Sequence, residues 1–367
     1  MNPDRGRCRG CGSNRLTTVL DLGTVPAADY FPEAGAAIGA RENVHPLRMD
    51  ACAACGLAQL ADDDTRAEEP RGVEPRALRD QAADAVERVA MAGLLRGTTV
   101  REFGSPHGGT WLPLLAERGF RTDAGPADIV LDCFGIMHEP DQAAAFKERA
   151  AATAPDGLLL IQYHSLAAIA SAGQWNALRH GHFAYYSLAA LSRLLTLAGM
   201  SVATVWEFDL YGGTVLVGAV HGEVEPDQTV RTVLAAESEH TDVAALRRLQ
   251  HTTDRHAASL REWLEAAAAR RQRVYAYGAA SRAVALFSLA GLHRGLVAAV
   301  ADASPTKHGR RMPGTDIPII SPAELVAAQP DSVLLTLRDL LPEVRAGFPE
   351  LDGRWVLDDP AGPSEGW

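Results

Sequence analysis

The chain has 367 residues, 47% of them hydrophobic and 22% charged, with a formal net charge of −11. That size allows two or three domains with sizeable cores. The acidic balance argues against nucleic acid or an anionic membrane surface as the main partner and leaves a small molecule or another protein.

The opening Met-Asn-Pro-Asp-Arg-Gly-Arg-Cys lacks the apolar core of a signal peptide, and no apolar run approaches the roughly 20 residues of a membrane helix. A cytoplasmic location is therefore expected, where the five cysteines are better explained by metal binding or burial than by disulfides. Cys8-Arg-Gly-Cys11-Gly and Cys52-Ala-Ala-Cys55-Gly are two CxxC knuckles, each followed by a glycine that lets the backbone turn toward thiolate sulfur. Four thiolates suit a tetrahedral structural zinc. Residues 1–66 are expected to form this zinc lobe, with short strands over Thr17 to Leu22 and Val44 to Met49, and metal supplying folding energy that so small a core lacks.

Asp62 to Arg79 reads as a polar linker and Ala82 to Leu95 as an amphipathic helix. Residues 80–222 then read as an α/β domain. Strand Thr98 to Phe103 runs into the loop Gly104-Ser-Pro-His-Gly-Gly-Thr110 and a helix from Trp111, the start of a nucleotide-binding unit in which Gly104 and Gly108 are the cofactor candidates. Pro106 removes an amide donor from that loop, and His107 stands where a small or acidic residue is expected. A second strand, Ala127 to Phe134, delivers His138 at its C-terminal end. After a third, Gly157 to Tyr163, comes Gln174-Trp-Asn-Ala-Leu-Arg-His-Gly-His-Phe-Ala-Tyr-Tyr186. If extended, it points His180 and His182 the same way beside Arg179 and Tyr185, and imidazole is the side chain that exchanges protons near neutral pH. Strand Ser201 to Phe208 and Tyr211 to Gly218 read as an antiparallel hairpin at the sheet edge.

Residues 223–271 are charged and helical and read as a bridge. A second α/β unit over 272–360 opens with strand Val274 to Tyr277 and Gly278; Asp302, 24 residues on, suits a ribose or a neighbouring backbone group, and Lys307 suits phosphate oxygens. The fold class is thus α/β: a small N-terminal zinc-binding lobe and two Rossmann-like domains, the central one abbreviated.

The paired knuckles, the Gly-Leu-Ala-Gln-Leu after the second, the His-x-His segment with Tyr185, Gly212-Gly213, Tyr277-Gly-Ala-Ala-Ser-Arg282, Pro305-Thr-Lys-His-Gly309 and Pro313-Gly-Thr-Asp-Ile-Pro-Ile319 together resemble the NDP-sugar C-methyltransferases of deoxysugar pathways. The resemblance implies a zinc lobe, a central domain that binds S-adenosylmethionine and a C-terminal domain, arranged around a TDP-linked 4-keto sugar. It also implies that His182 removes the proton beside the ketone, with His138, His180 or Tyr185 as donors to the enolate. Substrate contacts would come from Arg179, Gly278, Ala279, Ala280, Ser281, Arg282, Asp302 and Lys307.

The sequence departs from that family where it matters. Arg179 and Gly181 replace a tyrosine and a glutamate, Gln162 a glutamate, Phe134 an asparagine, and Tyr211 and Leu216 a histidine and an arginine. Only 22 residues separate Gly104 from Ala127, too few for the family's ribose-binding strand and the helix and strand after it. The expectation is therefore an enzyme that uses His182 for proton transfer on an NDP-4-keto-deoxysugar without S-adenosylmethionine: an epimerase, keto-isomerase or elimination enzyme. The alternatives are S-adenosylmethionine-dependent C-methyl transfer and a non-catalytic binding subunit.

Overall fold

A computed structural model of the chain describes residues 6–39, 42, 44–65, 74–104 and 108–365. Pro106, His107 and residues 66–73 of the expected linker lie outside them. No helix among the described residues is long and apolar enough to cross a membrane.

The first sheet takes β1 (Leu16–Val25), β2 (His45–Cys52) and β3 (Ala58–Leu60), all antiparallel. Helix α1 (Arg76–Met91) follows and lays Ala82, Ala85, Val86 and Val89, a helical-period stripe, on the central sheet. That sheet opens with β4 (Thr99–Phe103), the short α2 (Leu112–Ala116), β5 (Arg121–Thr122), β6 (Ala127–Cys133), α3 (Gln142–Ala152) and β7 (Thr153–His164). β6 reads Ala-Asp-Ile-Val-Leu-Asp-Cys, nearly continuous in apolar residues, as a parallel strand covered on both faces requires.

Helix α4 (Leu166–Ser171) and β8 (Ala184–Tyr185) come next. β8 does not join the central sheet; it pairs with β3 and completes the first one in the order β1-β2-β3-β8. Helix α5 (Leu188–Leu197), β9 (Met200–Phe208) and β10 (Thr214–His221) finish the central sheet in the order β5-β4-β6-β7-β10-β9. The hairpin is antiparallel as read, but β9 forms the edge and β10 lies inside, against β7. The 22-residue connection holds more than expected: β5 is a second parallel strand on β4, with Asp123 at its end, so the abbreviation removes only what would lie beyond it.

The bridge consists of α6 (Gln228–Glu237) and the 27-residue α7 (Val243–Ala269), capped by the carboxylates of Asp227 and Asp242. Helix α7 has more than a solvated face. Leu246, Leu249, Leu260 and Leu264 are buried in the core shared with β1 and the C-terminal domain.

That domain takes β11 (Val274–Tyr277), α8 (Ser281–Leu289), β12 (Val300–Ala301), β13 (Ile319–Ile320), α9 (Pro322–Ala328), β14 (Ser332–Leu335), α10 (Leu341–Gly347), β15 (Trp355–Leu357) and β16 (Ser364–Glu365). Its order is β13-β12-β11-β14-β15-β16, parallel except for the last pair. In both α/β sheets the chain reverses its direction of sheet growth beside the first strand, β4 or β11. Open parallel sheets bind ligands at the strand ends next to such a reversal.

Candidate active site

Cys8 and Cys11 precede β1, Cys52 ends β2 and Cys55 sits in the turn to β3. Gly12 and Gly56 take the left-handed conformation, with φ of 72° and 82°, and their amides close the turns on the carbonyls of Cys8 and Cys52. The four sulfurs lie within 4.8 Å of one another, with Cys8 to Cys55 at 3.5 Å and Cys11 to Cys52 at 3.7 Å. A tetrahedron of thiolates around zinc needs sulfurs about 3.8 Å apart. The set therefore fits that ion.

The segment from Gln174 to Tyr186 is not extended. A 3-10 turn over Trp175–Ala177 and a left-handed Gly181 at φ 77° fold it back before β8, and the Gly181 amide donates to Asp63. The two imidazoles consequently diverge. His180 packs edge-on against His45 and sets Nε2 on the carbonyl of Pro46, in the zinc lobe. His182 turns the other way, edge-on to His138 with ring centroids 4.3 Å apart. The Tyr185 hydroxyl accepts from the Arg179 amide at 3.1 Å and donates to the carbonyl of Ala177 at 3.3 Å, bracing the turn. Arg179 hydrogen-bonds His182 Nε2 through one guanidinium nitrogen and Ser281 Oγ through another.

A cavity of about 480 Å³ lies between the strand ends of the central and C-terminal sheets. Phe134, His164, Arg179, His182 and Tyr211 line it on one side, and Gly278, Ala280, Ser281, Arg282, Asp302 and Lys307 on the other. Of the four residues expected to handle protons, only His182 lines this cavity. His138 stands behind it on a 3-10 turn after β6, held neutral because burial, and then the charge of Arg179, lowers its pKa to about 3.

The cavity also holds His164, which sequence reasoning missed. It ends β7, and burial followed by the charges of Arg282 and Arg179 lowers its pKa to about 3. The available signal was its place: a histidine at the C-terminal end of a central parallel strand, one residue past where the reading stopped. Tyr211, at φ 57°, lies under the Arg282 guanidinium at 5.6 Å. Gln162, where a glutamate was noted as usual, donates to Gln81 at 2.6 Å.

On the C-terminal side Gly278 has φ 94°, and a Cβ there would sit 2.6 Å from the Thr336 hydroxyl. Asp302 accepts from the amides of Ala279 and Ser304, both at 2.8 Å. Of the two partners its spacing allowed, the neighbouring backbone takes this carboxylate. Lys307 donates to the carbonyl of Ala279 at 2.8 Å and lies 3.6 Å from Asp302. Ala279 is fully buried beneath the cavity floor.

The residues around β4 include groups of the kind that S-adenosylmethionine requires. A Cβ on Gly104 or Gly108 would meet nothing within 4 Å, so the backbone there is open to a ligand. Gln162 Oε1 is buried without a hydrogen-bond partner beside this strand end, and the Asp123 carboxylate ends β5. These are the open amides, orphan acceptor and acid that the cofactor needs. The recess itself is only about 20 Å³, because Glu74 and Leu78 close it. The donor and acceptor chemistry of these residues fits the cofactor, while the recess as it stands is far smaller than the cofactor.

Three family models match the chain in order: a zinc binding domain over residues 8–68, a methyltransferase domain over 120–205 and a C-methyltransferase C-terminal domain over 209–358. The C-methyltransferase NovU of Streptomyces niveus is 28% identical across 96% of this chain and 95% of its own length. Among solved structures, the magnesium protoporphyrin IX methyltransferase ChlM of Synechocystis PCC 6803 with bound SAH is 16% identical, covering 41% of this chain and 90% of its own at a TM-score of 0.30. A possible histamine N-methyltransferase of Thermotoga maritima is 15% identical, covering 40% and 89% at 0.29.

The family models and the full-length relative overturn the expected proton transfer without S-adenosylmethionine, and with it the isomerase and elimination readings. That expectation rested on a deleted cofactor layer, and β5 with Asp123 restores part of it.

Proposed function

Since the chain belongs to the C-methyltransferase family, in which zinc-binding, methyltransferase and C-terminal domains follow one another, we propose that it methylates a carbon beside the ketone of a nucleotide-linked deoxysugar. One observation carries the reading: a single cavity joins the imidazoles of His164 and His182 and the Arg179 guanidinium on the central side to the Gly278 turn, Arg282 and Lys307 of the C-terminal domain. In this reading the nucleotide lies along Gly278, Ala280, Ser281 and Lys307, with TDP the nucleotide expected from the sequence resemblance. The keto sugar reaches His182, His164 and Tyr211.

A proton beside a ketone is too weakly acidic to leave unaided, so a neutral imidazole must take it while cations stabilise the enolate oxygen. His182 takes the proton in this proposal; the C–H electron pair becomes the enolate double bond, and the carbonyl oxygen gains the charge in the field of Arg282, whose guanidinium lies over the Tyr211 ring. Gly104, Gly108, Gln162 and Asp123 would hold S-adenosylmethionine, which would supply an electrophilic methyl group. His138 keeps the His182 ring in place from behind. The zinc is structural in this proposal, since its four sulfurs leave no open position for substrate.

The test is mass spectrometry of a TDP-linked 4-keto-6-deoxyhexose incubated with the protein. A methyl-sized gain that requires S-adenosylmethionine is expected. No gain, together with no calorimetric binding of S-adenosylhomocysteine, would overturn the reading.

A further inference from the structure

Arg179 stands where it can control the proposed base. One guanidinium nitrogen is bonded to His182 Nε2 and another to Ser281 Oγ, the first residue of α8. A guanidinium stays charged and can only donate, so Nε2 accepts in this contact and its lone pair is occupied. An imidazole in that state cannot take a substrate proton at Nε2.

The other end of the contact lies on an anion-binding surface. Helix α8 begins without a side-chain cap at the cavity wall, beside Gly278 and Ala280. Its first amides and the half-buried Arg282 guanidinium are a natural seat for a phosphate group. Arg282 and Arg179 repel each other across this seat. An anion docked there attracts both guanidiniums and competes with His182 for the nearer one.

We propose that Arg179 is an anion-gated cover on the base: it occupies His182 while the cavity is empty, and the diphosphate of an arriving nucleotide sugar draws it onto the α8 terminus and releases Nε2. The proposal rests on the nucleotide-sugar reading. Arg179 is a positioning residue in it, and proton transfer is delayed until substrate is bound. The His138 ring, itself neutral down to about pH 3, and the Tyr185 ring at 6.3 Å also face His182, and Arg179 is the charged partner that the anion has to move.

The test follows His182 by NMR in the full-length protein with ¹⁵N-labelled histidine, assigned with His182→Gln. Without ligand, His182 should protonate at about tenfold higher acidity in the wild type than in Arg179→Gln, since protonation beside a guanidinium sets two cations in contact. Saturating TDP should bring the wild type to the value of the variant and leave the variant nearly unchanged. Arg179→Lys, which keeps a cation without the fork, should respond in between, and unchanged thermal midpoints certify that both variants fold.

Equal titration of the wild type and Arg179→Gln would overturn the cover. TDP that binds by calorimetry yet leaves His182 unmoved would overturn the gate alone. TDP that does not bind would overturn the nucleotide-sugar reading together with the trigger.

Discussion

His138 and His164 are two imidazoles whose burial leaves a mark on stability. Each is held neutral in the folded protein with a pKa lowered to about 3, whereas an unfolded chain protonates histidine near 6.5. Below pH 6.5 the unfolded state therefore binds more protons, and stability falls as pH drops from 6.5 toward 3. His164→Gln removes one of these sites. It should lose less stability than the wild type between pH 6.5 and 4, read as a flatter dependence of the denaturation midpoint on pH; an unchanged slope would contradict the buried, neutral ring.

At this scale the sequence was legible where chemistry is carried by spacing. The four cysteines could be paired from two CxxC runs because the knuckle is local. His180 and His182 could not be told apart, since only the left-handed Gly181 decides that one faces the zinc lobe and the other the cavity. Tyr185 looked like a donor to substrate, but its hydroxyl is committed to the backbone of its own turn.

Among the elements, β8 ties metal to chemistry. Its pairing with β3 is reinforced by the Leu60 amide on the carbonyl of Phe183, and the Phe183 amide reaches the carbonyl of Met137 beside His138. Stripping zinc with a chelator, or Cys52→Ser, should unfold β1 to β3 and release 183–186 with them. Hydrogen exchange should then rise in both segments together, and methyl transfer should fall at least tenfold; loss of protection in the lobe alone would separate the two. Strands and helices with clear periodicity were readable to within a few residues, α1 excepted. β5 was not, because two residues carry no period, and β8 was not, because its partner lies more than a hundred residues away.

The whole molecule is held by contacts that no domain border in the sequence foretold. Trp175 Nε1 donates to His256 Nδ1 at 3.1 Å, and His256 Nε2 meets Asp358 at 2.7 Å, joining the central segment, α7 and the end of β15 through one buried ring. Asp358→Asn keeps the shape and removes the charge. It should cost about 2 kcal/mol, the scale of a charged hydrogen bond, and lower the thermal midpoint without changing the zinc content. A midpoint equal to that of the wild type would show the chain of contacts to be dispensable.

The strand exchange at β8 has a practical side for anyone recombining such proteins. A chimera cut at the polar stretch before α1 would give the transplanted lobe a foreign fourth strand, because residues 184–185 stay with the recipient. The inherited unit is discontinuous: residues up to about 65 together with the segment around 183–186. Grafts that move both pieces keep the native pairing, and those that move one ask two unrelated histories to agree on a register.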